Sequence, residues 1–252
     1  MRTVGDTLAL VQRNLRRVPR SPDLLLGFTI QPIMFVLLFV YVFGGSIRTG
    51  MDYVDFLIPG ILVQNITFGG ALTAVGLVED LNKGLIDRFR SLPMARSAVL
   101  TGRTLADVVV NVLMAVIVIV VGLIVGFSFN STVLHVLYGL VLLLLFGYGF
   151  SWLFALIGLV STSAENAQQF GFILIFPLTF ISSAFVPVDN MPAALQAFAE
   201  VNPFTITVDA MRHLFVGTPA GNSVWGATLW SIGLIVVFAP LAVLKYRRVS
   251  AR

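Results

Sequence analysis

Residues 104–127 read TLADVVVNVLMAVIVIVVGLIVGF. After Asp107 the run carries no charge at all. About 20 mainly apolar residues suffice for a helix to cross roughly 30 Å of hydrocarbon, so this stretch reads as a membrane span. Five more stretches reach comparable length: about 24–43, 53–78, 133–160, 169–186 and 223–244. The chain of 252 residues is 58% hydrophobic and 11% charged, against about 45–50% and 25% in soluble domains. Its mean hydropathy is +0.96. A membrane β-barrel would show segments of roughly ten residues with alternating polarity, and none is present. The fold class expected is all-α: a polytopic membrane protein whose six transmembrane helices occupy residues 24–244.

The basic residues orient these spans. Arg2, Arg13, Arg16, Arg17 and Arg20 precede the first. Lys83, Arg88, Arg90, Arg96 and Arg103 lie between the second and third, and Lys245, Arg247, Arg248 and Arg252 follow the last. Only Arg48 and Arg212 fall on the other side. Positive residues stay in the cytoplasm, so both termini and the second loop are expected there. The net charge of +4 then follows from topology, and nucleic acid is not an expected partner. In the arm 1–23, Val4, Leu8, Val11, Leu15 and Val18 recur at steps of four and three, which places them on one helical face. Such a helix lies in the membrane interface, touching lipid, either as an anchor or as a lever acting on the first span. Residues 245–252 form a basic tail. The first apolar run begins only at Leu24 and has no A-x-A site after it, so a cleavable signal peptide is not expected.

Several chemistries lack their residues. There is no cysteine, hence no disulfide or thiolate metal site. His135 and His213 are far apart in sequence and sit in no metal-binding spacing, so no metal site is expected. Ion-coupled transporters keep ionisable groups deep in their spans; here Asp55, Asp107, Glu165 and His135 all fall near expected span ends. The spans instead carry uncharged polarity: Gln31 beside Pro32, then Gln64, Asn65 and Thr67, then Asn111, and Gln168 with Gln169. Two readings stand. Such amides hydrogen-bond between helices as packing contacts, or Gln31, Gln64, Asn65, Thr67 and Asn111 line a path for an amphipathic substrate, with Phe35 adding apolar surface.

Residues 79–103 read EDLNKGLIDRFRSLPMARSAVLTGR. Leu85, Ile86, Phe89 and Leu92 make an apolar stripe at helical spacing, and Pro93 ends it because it lacks a backbone N–H. A short amphipathic helix of this kind either docks in a groove of another protein or lies on lipid. Gly84 to Met94, followed by Gly102-Arg103, resembles the cytoplasmic loop of the ABC-2 type exporter permeases, nearest to the daunorubicin-resistance drug permeases. Phe185 to Pro192, Asn202-Pro203-Phe204 and Asp209-Ala210-Met211-Arg212 resemble that family's segment between spans five and six.

The resemblance implies that the loop is a coupling helix docking on a separate ABC ATPase, through Glu79, Asp80, Gly84, Leu85, Asp87, Arg88, Phe89, Arg90 and Pro93. It implies short extracellular re-entrant helices within 187–222, marked by Pro187, Pro192, Asn202, Pro203 and Arg212. A helix over 192–201, a break at Asn202-Pro203 and a second helix up to Gly217 fit this plan locally. No G-x-x-x-x-G-K-[ST] phosphate cradle occurs in the sequence, so no catalytic or cofactor-binding residue is expected. ATP and Mg²⁺ are expected on two ATPase copies, beside a second permease copy or homologue. The implied function is the permease half of an exporter for multidrug efflux and antibiotic resistance, in a bacterial plasma membrane. The cargo is an amphipathic drug-like or lipid-like molecule. Export of a polysaccharide or complex lipid is the alternative, and an ion-coupled secondary transporter the weaker one.

Overall fold

The computed structural model describes residues 11–12, 22–82, 96–219 and 221–249. Among them the secondary structure is helical throughout, without a β-strand. The arm at residues 1–10 and 13–21, the loop segment 83–95 and the last residues 250–252 lie outside the described residues. The expectations for Gly84, Leu85, Asp87, Arg88, Phe89, Arg90 and Pro93 therefore lie outside them too.

Helix α1 spans Pro22–Leu38 and runs on as a π-helical turn, Phe39–Phe43. It is followed by α2 (Tyr53–Asn82), α3 (Arg96–Val125), α4 (Val133–Val160) and α5 (Ala164–Phe180). After a short 3₁₀ turn at Val188–Asn190 come α6 (Ala193–Val201), α7 (Pro203–Val216) and α8 (Ser223–Val249). Among the described residues, four helical stretches are long and apolar enough to cross a membrane: Tyr53–Asn82, Leu100–Val125, Val133–Val160 and Ser223–Arg248. Thr29–Phe43 is a shorter apolar helix.

Helix α2 is the axis of the fold. It packs against α4, α3, α5, α7 and α1, and Leu57, Ile58, Ile61, Leu62 and Ile66 on it are fully buried. A helix with apolar residues around its whole circumference is one that neighbours enclose, and its few buried polar groups are short or uncharged apart from Asp55. Phe204 of α7 meets Phe146 and Phe150 of α4 edge-on, with centroids 5.8 and 5.6 Å apart. Edge-to-face pairs are favoured at such separations. Gly158 lets α4 approach α2 closely, since a Cβ there would stand 2.7 Å from the carbonyl oxygen of Ala74. Large apolar residues on α3, α4 and α8, such as Ile124, Leu134 and Trp225, remain exposed; in a membrane protein such a surface faces lipid or a partner.

Several helices run past the bounds that hydropathy sets, and where a cap is seen it marks the end. Helix α2 passes the expected boundary at 78 and is still helical at Asn82, and α3 is already helical at Arg96 rather than from 104, these being the described residues on either side of 83–95. Helix α5 begins at Ala164, not 169, because Ser163 caps it by accepting from the Asn166 N–H. It also ends at Phe180, short of 186. The Asn202 side chain there donates to the carbonyls of Leu178 (2.8 Å) and Ile181 (2.7 Å). The breaks expected around Pro192, Asn202-Pro203 and Gly217 are all present. Pro192 caps α6, Asn202 caps α7 with Pro203 in its first turn, and Gly217 ends it at φ 82°, a left-handed conformation open to glycine without strain.

Candidate functional site

Three polar places stand out in this apolar frame. The first is a cavity of about 250 Å³ between α1, α2, α3 and α5. Gln31, Asn65 and Gln168 bring amides to its wall, and Phe68, Phe172 and Met114 supply much of its apolar surface. No lining residue is ionisable. The Asn65 amide N–H donates to the Ile61 carbonyl at 2.9 Å, which fixes the side chain along its own helix. Phenylalanine contacts continue from the cavity wall: Phe172 to Phe176 (5.6 Å), Phe176 to Phe180 (5.4 Å) and Phe180 to Phe185 (5.5 Å).

Of the six residues singled out as a substrate path, Gln31 and Asn65 meet at this cavity. The other four lie elsewhere. Phe35 stacks on Phe39 at 5.9 Å. Gln64 is buried within the α2 core. The Thr67 hydroxyl donates to Val63 O one turn back, at 2.8 Å. Asn111 is fully buried between glycines of two neighbours: a Cβ at Gly69 would meet its Oδ1, and one at Gly147 its Nδ2. Neither amide atom of Asn111 has a hydrogen-bond partner among the described residues. Phe172 and Met114 were missed by sequence reasoning. The signal for Phe172 is its position one helical turn after the amide Gln168.

The second place joins the helices that flank the 83–95 segment. Arg103 of α3 pairs with Asp80 of α2 at 2.9 Å, both side chains being only 13–14% exposed. Farther along the same interface the Thr73 hydroxyl donates to Asp107. Because α3 starts earlier than hydropathy indicates, Asp107 lies about three turns inside it rather than near its end. Glu79 follows on the last turns of α2, also half-buried.

The third is the polar knot that fastens α7. Arg212 is 5% exposed. Its Nε donates to Phe56 O (3.0 Å), its Nη2 to Ser183 O (2.5 Å) and its Nη1 to Asp209 Oδ1 (2.8 Å). The guanidinium carbon also lies 3.6 Å from the centre of the Phe56 ring, a cation–π contact. Asp209 accepts from the Ser183 hydroxyl as well (2.8 Å), and the Tyr53 hydroxyl donates to Phe185 O (3.3 Å). Pro187 opens the 3₁₀ turn alongside. His135 and His213, remote in sequence, have ring centroids 5.9 Å apart.

The family model described as ABC-2 type transporter matches residues 6–216. The chain is 34% identical over 249 residues to the daunorubicin resistance ABC transporter permease protein DrrB1 of Streptomyces coeruleorubidus, covering 98% of this chain and 88% of that one. It is 24% identical, over 98% of its length and 90% of the relative's, to the probable doxorubicin resistance ABC transporter permease protein DrrC of Mycobacterium tuberculosis. A probable multidrug ABC transporter permease of Escherichia coli, YbhR, is 25% identical over 73% of this chain and 50% of its own.

Proposed function

Because the chain belongs to the ABC-2 type transporter family, we propose that it is the membrane permease of an ATP-driven exporter that moves an amphipathic, drug-like or lipid-like molecule outward. One observation carries the substrate side of this reading: the cavity between α1, α2, α3 and α5 is uncharged, and its wall combines three amides with phenylalanine rings. Amides offer both donors and acceptors, and the rings offer stacking area. A mostly apolar wall with a few polar groups holds a ligand by area and orients it by hydrogen bonds. This chemistry suits a flat apolar body bearing polar substituents. The relatives named for daunorubicin and doxorubicin resistance point the same way.

In this reading α1 with its π-helical end, α2, α3, α4, α5 and α8 are six spans, with both termini in the cytoplasm of a bacterial cell. Residues 1–23 form the interfacial arm, 245–252 the basic tail, and α6 and α7 re-enter the membrane from outside. Residues 84–93 dock on the ABC ATPase, which binds ATP and Mg²⁺. Two ATPases and a second permease copy complete the exporter. The Asp80–Arg103 pair and the Thr73–Asp107 bond tie α2 to α3 just beyond the loop, so a push on the loop reaches both helices together.

Inside-out vesicles holding this chain and its ATPase should accumulate a fluorescent anthracycline when ATP is added. They should lose that uptake when the ATPase's phosphate-binding lysine is replaced by alanine. Uptake driven by a proton gradient without the ATPase would overturn the reading. ATP-driven movement of a glycan or complex lipid, and not of the drug, would replace the substrate class.

A further inference from the structure

The chain has two histidines and no cysteine, and the fold brings those two imidazoles together. His135 stands in the first turn of α4 and His213 in the last turn of α7, with the rings inclined by 46°. Each ring is held through Nδ1. His135 Nδ1 lies 3.1 Å from Ser131 Oγ, and His213 Nδ1 meets the Thr218 carbonyl oxygen. A carbonyl oxygen only accepts, so Nδ1 of His213 carries the proton and Nε2 of the neutral ring keeps its lone pair. An Nδ1–H bonded to a carbonyl behind the ring is the outer-shell arrangement that orients histidines as metal ligands.

The ring separation leaves room for one shared ion. With metal–nitrogen bonds near 2.0–2.1 Å, two Nε2 ligands at tetrahedral or wider angles place ring centres about 5–6 Å apart. The observed separation is 5.9 Å. His135 is exposed and His213 half-buried, and both stand at helix ends rather than in mid-helix. Among the described residues no third histidine, cysteine, aspartate or glutamate joins them, which leaves the remaining coordination positions to water.

We propose that His135 and His213 form a two-imidazole site for a divalent transition-metal ion of the kind imidazole prefers, Zn²⁺, Ni²⁺ or Cu²⁺. The ion braces the end of α7 against the start of α4. It adds to a contact already made there, where the Asn130 N–H donates to Phe215 O at 3.0 Å. With two protein ligands the site exchanges freely and a chelator empties it. The site is independent of the transported substrate.

The test is a titration of the full-length chain in detergent, freed of any purification tag, with Cu²⁺ alone. Electron paramagnetic resonance should show one equivalent bound with hyperfine splitting from two imidazole nitrogens, and excess Zn²⁺ should displace it. H135Q and H213Q should each leave at most one coupled imidazole and weaken binding at least tenfold. His135 is an exposed residue in a first turn, so H135Q preserves the fold, which a circular dichroism melt without metal verifies. A wild-type signal with fewer than two coupled imidazoles, or H135Q binding as tightly as wild type, would overturn the proposal.

Discussion

Replacing Arg212 with methionine keeps much of the side chain's apolar volume and removes its charge. Three hydrogen bonds disappear, to Phe56 O, Ser183 O and Asp209. Each bond to a charged group contributes about 1.5–3 kcal/mol. The Asp209 contribution is discounted, because that side chain is 44% exposed and water takes over its carboxylate. The two carbonyl bonds are buried, so the loss comes to about 3–6 kcal/mol, the sum of two bonds to a charged donor. At about 1.4 kcal/mol per factor of ten, a loss near 4 kcal/mol raises the opening equilibrium of this knot roughly a thousandfold. Hydrogen exchange in nanodiscs should show faster exchange in residues 181–187 and in the first turn of α2, while the centre of α4 is unchanged. Arg212→Lys should fall between, since a single ammonium cannot reach three acceptors as a planar fork does. Exchange within threefold of wild type in the methionine variant would refute the assignment of Arg212 as the tie between α2, α7 and the 181–187 segment.

Other perturbations separate the cavity, the core and the loop. Asn65→Leu with Gln168→Leu should change the substrate range, read from drug-stimulated ATPase profiles, with little change in melting temperature. Asn111→Leu should do the opposite, because that residue is wedged against Gly69 and Gly147 away from the cavity. Gly158→Val should cost about 1–3 kcal/mol by overpacking α4 on α2, visible as a lower melting temperature in detergent with normal membrane insertion. Phe89→Asp should abolish co-purification with the ATPase while the permease still inserts; retention of the ATPase at wild-type yield would remove the docking role from residues 84–93.

Hydropathy made the core of α2, α3, α4 and α8 legible, because in each a long apolar run leaves no alternative to a buried or lipid-facing helix. Local breaks were legible too: Asn202-Pro203 and Gly217 announce their caps by residue type. Helix ends were less so, since Ser163 extends α5 backward over Glu165 and Asn166, and Arg96 to Arg103 extends α3 through residues that hydropathy counts as loop. The amides show where legibility stops. Gln64 and Asn65 are neighbours in sequence, yet a rotation of about 100° per residue sends one into the core and the other to the cavity. Arg212 and the histidine pair depend on partners far along the chain, Phe56 for the arginine and α4 for His213, which no local pattern encodes.

The most direct measurement of the central reading is ATP-dependent uptake of a fluorescent anthracycline into proteoliposomes holding the chain with its ATPase, comparing wild type with the Asn65→Leu, Gln168→Leu variant. An exporter using this cavity gives ATP-dependent uptake in wild type and at least a tenfold weaker apparent affinity in the variant, with basal ATPase activity kept. Equal apparent affinity in the two proteins, or wild-type uptake that does not need ATP, would contradict it.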